Sequence, residues 1–331
     1  MKAVLMSQAG GPEVLSLQQI DTPEIQSSNQ LKIKLKAAGV NPVDTKLRSR
    51  GVFLPDGLPA VLGCDGAGTV VQVGSGVSRF TLGDEVWFCS GGLGGTLGNY
   101  AEMTLVDEAA CCKKPAGLSF VEAAAAPLVL ITAWEALFDR ARLGHGQSVL
   151  IHAGAGGVGH VAIQLAKSVG AHVMTTVSSE EKVRFVKALG ADEAILYPQV
   201  DFVEKVLELT HGRGADVVFD TVGPEVFRQS IPAVAHYGEL VTILDPGSDM
   251  DWKEARNRNL RIGFTLMLTP MLRELSEARA HHGEILRRCA ELVDAGKLRI
   301  EVAQTLPLEQ AAEAHRLIET GHTQGKLVLV P

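Results

Sequence analysis

The sequence predicts an α/β protein in which a doubly wound, parallel-sheet unit is inserted into a β-rich, barrel-like domain. Three observations predict this. Up to about residue 115, short segments of period-two hydrophobicity are punctuated by glycine and proline. From Ser119 to about residue 268, strand-like and helix-like segments alternate. At residues 154–159 a glycine-rich loop joins one such strand directly to a helix. A chain of 331 residues has room for two domains of ~100–200 residues each. The expected boundaries are 1–124 for the first part of the β domain, 125–268 for the α/β unit and 269–331 for a return to the β domain.

The first part reads as strands KAVLM, VLSLQQI, LKIKLKAAGV, GAGTVVQVG, DEVWF and YAEMTLV, with the adjacent Cys111 and Cys112 ending a strand. Ser119 followed by Glu122 forms a capping box that opens a helix. Next come strand SVLIHA (148–153), a helix through VAIQLAKSVG, strand HVMTTV (172–177), a helix around EEKVRFVKALG, and strand EAILY (193–197). The alternation continues with a helix through FVEKVLELTHG, strand ADVVFDTVG (215–223), a helix through FRQSIPAVAHYG, and strands ELVTIL (239–244) and RIGFTLML (261–268). Crossover helices of this length imply parallel pairing, because only a long connection returns the chain to the same end of a sheet. The tail holds a helix with Ile285, Leu286, Cys289, Leu292 and Val293 on one face, strand LRIEV, a helix ending near Gly321, and strand KLVLV. It is too short for a core of its own and is expected to pack on the first domain.

Composition narrows the function classes. Hydrophobic residues at 46% against 21% charged supply the apolar surface that folding needs. A net charge of −7 is the wrong sign for a chain that binds nucleic acid or anionic lipid through phosphate neutralisation. Five irregularly spaced cysteines give neither a disulfide framework nor a metal ribbon, which fits a reducing compartment. The apolar stretch after Met1 is shorter than the ~7–15 residues of a signal-peptide core. The run at 123–134 is shorter than the ~18 residues that span a bilayer and contains Pro127, so it reads as buried helix. A cytoplasmic protein with no membrane or nucleic-acid partner is expected.

Gly154, Gly156, Gly157, Val158 and Gly159 fall in a Gly-x-Gly-x-x-Gly pattern between strand and helix. Such glycines permit a tight turn and close approach of the backbone to a pyrophosphate, which the helix N-terminus attracts through free N–H groups. A dinucleotide site therefore outweighs a plain glycine turn. The second strand ends in Val177, Ser178 and Ser179 instead of the acidic residue that accepts ribose hydroxyls in NAD sites. Serine leaves room for a 2′-phosphate and Lys182 supplies its counter-charge, which points to NADP(H). The competing readings are that Ser178 caps the next helix, that Lys182 is solvated, and that Glu180 or Glu181 reaches the ribose.

GGPEVL (10–15), AGVNPVDTKLR (38–48), LGCDGAGTVVQVGSGVSRFTLGDEV (62–86), LITAWEAL (130–137), GQSVLIHAGAGGVGHVAIQLAK (146–167) and the terminal GKLVLV together resemble the medium-chain dehydrogenase/reductase superfamily. Within it they resemble the zinc-independent quinone oxidoreductases of the zeta-crystallin type, over nearly the whole chain. Gly154 departs from the pattern, since another small residue is more usual there. The resemblance implies a GroES-like β domain split around a Rossmann domain, with substrate and nicotinamide in the cleft between them. It also implies a homodimer, commonly formed along the last Rossmann strand. Zinc-bearing alcohol dehydrogenases of the superfamily carry a cysteine at the position matching Asn41 and a His-Glu pair at those matching Cys64 and Asp65. Those ligands are not intact here, the structural-zinc cysteines are missing, and no HExxH occurs among the ten histidines, so no metal is expected. His281 and His282 read as surface helix residues.

Hydride transfer without a Lewis acid requires hydrogen-bond donors at the acceptor oxygen, and suits quinones or α,β-unsaturated carbonyls, which delocalise the charge. Asn41, Asp44 and Lys46 follow the LKIKLKAAGV strand as catalytic candidates. Asn41 resembles the family asparagine whose amide could donate to the substrate carbonyl. Lys46 stands where tyrosine is common and reads as donor, proton source or solvated lysine. Asp44 reads equally as a cap or a partner of Lys46. Thr132 resembles a threonine lining the nicotinamide pocket, with helix packing as the alternative, and Tyr197 resembles a tyrosine near the adenosine ribose or is a strand-end surface residue. His152 reads as a packed strand residue. The expected function is NADPH-dependent reduction of a quinone or enone. The rivals are a zinc-containing alcohol dehydrogenase and a non-catalytic NADPH-binding sensor or RNA-associated protein.

Overall fold

The computed structural model describes residues 1–54 and 56–331. They divide into two compact units, residues 1–128 with 268–331 and residues 129–267. The strands are β1 (Lys2–Met6), β2 (Leu15–Gln19), β3 (Gln30–Val40), β4 (Ala60–Val61), β5 (Asp65–Val73), β6 (Glu85–Cys89), β7 (Met103–Asp107), β8 (Cys111–Lys113), β9 (Ser148–Ile151), β10 (His172–Val177), β11 (Glu193–Leu196), β12 (Ala215–Asp220), β13 (Val234–Thr242), β14 (Arg261–Phe264), β15 (Val302–Pro307) and β16 (Lys326–Val330). The helices are α1 (Pro42–Arg50), α2 (Phe120–Ala125), α3 (Pro127–Trp134), α4 (Gly157–Ser168), α5 (Glu180–Ala188), α6 (Phe202–Leu209), α7 (Pro224–Ser230), α8 (Lys253–Asn257), α9 (Thr269–Leu272), α10 (Ser276–Asp294) and α11 (Ala311–Glu319).

The first unit is the GroES-like domain. Its larger sheet runs β15-β16-β3-β5-β6-β8, with β7 also paired to β3, and a smaller sheet runs β2-β1-β4. The return segment completes the larger sheet: β16 lies antiparallel to β3, with Leu327 opposite Val40 and Leu329 opposite Ala38. Buried Leu31, Ile33, Leu35, Trp87 and Phe88 fill its interior.

The second unit is the Rossmann domain, a sheet in the order β11-β10-β9-β12-β13-β14 whose neighbours all pair in parallel. The order reverses between β9 and β12, and a doubly wound sheet binds its ligand at the carboxyl ends of the strands flanking such a switch. Leu150, Met174, Val218, Phe227 and Leu240 belong to one buried cluster in this unit.

Several elements differ from the sequence expectation. The helix through FRQSIPAVAHYG stops at Ser230, because Pro232 supplies no N–H, and VAHY instead begins β13 opposite Ala215. LRIEV alternates in burial like a strand at Leu298 and Ile300, but the ladder with β16 starts only at Val302. RIGFTLML is a strand only over Arg261–Phe264 before the chain turns into α9. Cys111 and Cys112 open β8 instead of ending a strand. The apolar run 123–134 is split between α2 and α3. His282 is buried, three residues before Ile285 on the inward face of α10, and is not a surface residue. The Ser119–Glu122 capping box is present, the carboxylate accepting the Ser119 N–H at 2.8 Å.

Candidate functional site

The glycine loop connects β9 to α4. Ala153, which opens it, has φ +52°, a conformation a non-glycine residue adopts only when its surroundings hold it there. The Gly154 N–H donates to Thr176 O at 3.1 Å and the Gly156 N–H to Ala153 O at 2.9 Å, closing a tight turn. A Cβ on Gly154 would lie 2.0 Å from Thr175 Oγ1, and one on Gly159 would lie 2.3 Å from Ala153 O. These two glycines are therefore required by packing. Gly156 caps the helix, and Gly157 and Val158 form its first turn with Gly159. The first N–H groups of a helix have no intrahelical acceptor, so this turn offers donors and a positive dipole end to an anion. The cradle fits a diphosphate.

At the end of β10, Ser178 is exposed and the Lys182 Nζ stands 3.3 Å from its Oγ. Ser179 is the residue that caps α5, accepting the Lys182 N–H at 3.3 Å, so Ser178 is left to other partners. Tyr197 follows β11 and is 53% exposed, and its N–H donates to Val177 O at 3.2 Å, which sets it beside Ser178. The structure thus brings Ser178, Lys182 and Tyr197 to one sheet edge. Thr132 is buried in α3. His152 is buried too, and desolvation drives its pKa down to about 3, so it is a neutral packed residue.

In the first unit Asn41 and Asp44 belong to a buried polar network. Asn41 Nδ2 donates to Asp65 Oδ2 at 2.8 Å, and the Lys326 ammonium donates to Asn41 Oδ1 and, at 3.0 Å, to Val40 O. Lys326 also pairs with Asp65 at 3.8 Å, while the other Asp65 oxygen accepts the Leu128 N–H at 2.7 Å. Asp44 caps α1 by accepting the Asn41 N–H at 2.9 Å, and its Oδ2 also accepts from Tyr100 OH at 2.9 Å. Tyr100 OH in turn stands 3.3 Å from His315 Nε2. Burial lifts the Asp44 carboxyl to about 7. The Asn41 amide is fully buried, with its oxygen and one N–H engaged inside the unit. Asp44 takes the capping role and makes no bond to Lys46, which is exposed on α1. Partial desolvation and the neighbouring Arg50 draw the Lys46 ammonium below the usual lysine range. Nothing in the local sequence pattern marks Tyr100 or His315 as a member of this network. For Lys326, a lysine inside the apolar strand KLVLV was the available signal.

Comparison with known proteins agrees with both folds. A family model described as Alcohol dehydrogenase GroES-like domain matches residues 27–116, and one described as Zinc-binding dehydrogenase matches residues 189–329. The quinone oxidoreductase of Pseudomonas aeruginosa is 34% identical, over 100% of this chain and 99% of its own. The crystal structure of Escherichia coli quinone oxidoreductase complexed with NADPH superposes with TM-score 0.89 at 30% identity, covering 100% of both chains. An NAD-dependent alcohol dehydrogenase structure superposes with TM-score 0.89 at 36% identity, again over 100% of both chains. The zinc implied by the second model's description finds no matching donor set: among the described residues no three His, Cys, Asp or Glu side chains stand together as ligands. The Asn41–Asp65 cluster already holds a cation, the Lys326 ammonium. Among the described residues no helix is long and apolar enough to cross a membrane.

Proposed function

Because the chain belongs to the medium-chain dehydrogenase/reductase superfamily and, within it, to the quinone oxidoreductases, we propose that it reduces a quinone or an α,β-unsaturated carbonyl with NADPH and without a metal. The observation that carries the reading is the glycine cradle at the switch point of a parallel sheet, with the Lys182–Ser178 pair at the end of the next strand. Gly154, Gly156, Gly157, Val158 and Gly159 would hold the diphosphate, Ser178 and Lys182 the 2′-phosphate, Tyr197 the adenosine ribose, and Thr132 the nicotinamide side. NADPH supplies the hydride when bound. The chain's own task is to fix the coenzyme and to meet developing negative charge on the acceptor with donors.

Conjugated acceptors suit such a site because they spread that charge without a Lewis acid. Lys46 is the proton source in this reading, being the exposed donor of the Asn41, Asp44 and Lys46 group, while Asn41 and Asp44 hold the network beneath it. Substrate is a small molecule, and two copies pair along β14, which has one sheet neighbour and exposes Phe264 at 55%. Separate titrations with NADPH and NADH, followed by a panel of quinones and enones with the preferred coenzyme, test the proposal. Tighter NADPH binding, reversed by Lys182→Glu, is expected. Tighter NADH binding, or stoichiometric zinc in the active protein, would overturn it.

A further inference from the structure

The phosphate loop is held by a hydrogen-bonded chain that passes through His152. Thr176 Oγ1 accepts the Ala153 N–H at 3.1 Å and stands 3.2 Å from His152 Nδ1. Ser230 Oγ donates to Val226 O at 2.6 Å, so His152 Nε2, 2.9 Å from Ser230 Oγ, carries the ring proton and donates to it, which leaves Nδ1 to accept from Thr176. Each hydroxyl in this sequence has an acceptor already assigned, which leaves one tautomer of the ring. Phe202 closes against the imidazole edge-on, with ring centroids 4.9 Å apart, and His152, Thr176 and Ser230 are all buried.

The same residue ties together the carboxyl ends of the strands that flank the switch point. The His152 N–H donates to Phe219 O at 3.0 Å, and its carbonyl accepts from Thr221 Oγ1 at 2.8 Å, which fixes the loop after β12. Thr176 grips the phosphate loop twice, through its hydroxyl at Ala153 and its carbonyl at Gly154, and lies two residues before Ser178. Ala153 needs such a grip, since its Cβ crowds the following carbonyl in the left-handed conformation.

We propose that His152 is a positioning residue for coenzyme, acting through Thr176 to lock Ala153 and Gly154 in the conformation that presents the loop to a diphosphate. It touches no reacting atom. The inference rests on the nucleotide reading given above for the effect on binding, whereas the lock itself is a property of the protein without ligand.

Two readouts on the full-length protein test it. Amide hydrogen exchange at Ala153 and Gly154, without coenzyme, is expected to speed up about tenfold in His152→Ala and in the near-isosteric Thr176→Val, the effect of losing one buried hydrogen bond. NADPH titration by nicotinamide fluorescence is expected to show a Kd weakened about tenfold in both variants. In quinone turnover the loss should appear in the KM for NADPH and not in kcat. His152→Gln, which can accept from Thr176 and donate to Ser230, should recover most of the affinity even if His152→Ala folds poorly. Unchanged exchange in Thr176→Val, or faster exchange with unchanged NADPH affinity, would overturn the proposal. Faster exchange in variants of a wild-type protein that takes up no NADPH would support the lock and remove the functional reading instead.

Discussion

Gly154→Ala tests whether steric fit at the loop is as tight as the structure makes it. The added Cβ would stand 2.0 Å from Thr175 Oγ1 and 3.0 Å from both Thr175 Cβ and Ile163 Cδ1. Gly154 is not in the left-handed region, so the cost is contact and not backbone strain. Thr175 is fully buried and its hydroxyl donates to Ile151 O at 2.7 Å, so moving it aside breaks a bond within the sheet. Overpacking of about 1–3 kcal/mol plus about 1 kcal/mol for the bond gives about 2–4 kcal/mol. In thermal unfolding of this 331-residue chain followed by circular dichroism this is a fall of about 3–6 °C. Thr175→Ala removes the obstacle, so the double variant should regain about 2 kcal/mol over the sum of the single changes. A Gly154→Ala protein as stable as wild type, or strictly additive single and double variants, would refute the reasoning. The same contact explains why glycine stands where the resemblance leads one to expect another small residue.

Gly159→Ala should be harsher for function, because its Cβ would meet backbone, Ala153 O at 2.3 Å and Gly154 Cα at 2.7 Å, with no side chain to yield. NADPH affinity is expected to drop about 100-fold in a direct titration. Lys326→Met should destabilise the protein by about 3–5 kcal/mol in urea unfolding, since it leaves Asp65 and Asn41 buried without their cationic donor, and adding Asp65→Asn should restore a large part. Stability should also depend on Asp44. Its carboxyl is raised from 3.8 to about 7 by burial first, so the folded state holds this proton more tightly than the unfolded chain does. That contribution is full below pH ~4 and is lost as pH rises to ~7, amounting to about 4 kcal/mol at most. Unfolding free energies measured across this range should fall with pH more steeply in wild type than in Asp44→Asn, the difference between the two isolating this carboxyl.

The Rossmann unit was legible in the sequence because its signals are local. SVLIHA, HVMTTV and ADVVFD carry enough β-branched and apolar residues to read as central strands, and the glycine loop sits directly between strand and helix. The errors fell where a local pattern competes with long-range pairing. FRQSIPAVAHYG has helical composition, yet Pro232 ends the helix and VAHY joins the sheet. LRIEV alternates correctly, but its neighbour begins pairing only at Val302. His282 was readable in principle, since it continues the i, i+3 spacing to Ile285. The pairing of Ser178 with Lys182 is legible from their four-residue spacing, because it is local to one helical turn.

Lys326 and Asn41 lie 285 positions apart, and Tyr100 and His315 lie 215 apart. No window of sequence contains them both. The chain by itself determined the order of elements and the place of the glycine loop between strand and helix, because those depend on neighbours along the backbone. Only the tertiary structure decided that Asn41 and Asp44 face an internal network, that a lysine supplies its positive charge, and that His152 holds Thr176, since burial and hydrogen-bond partnership are set by residues folding brings together from afar.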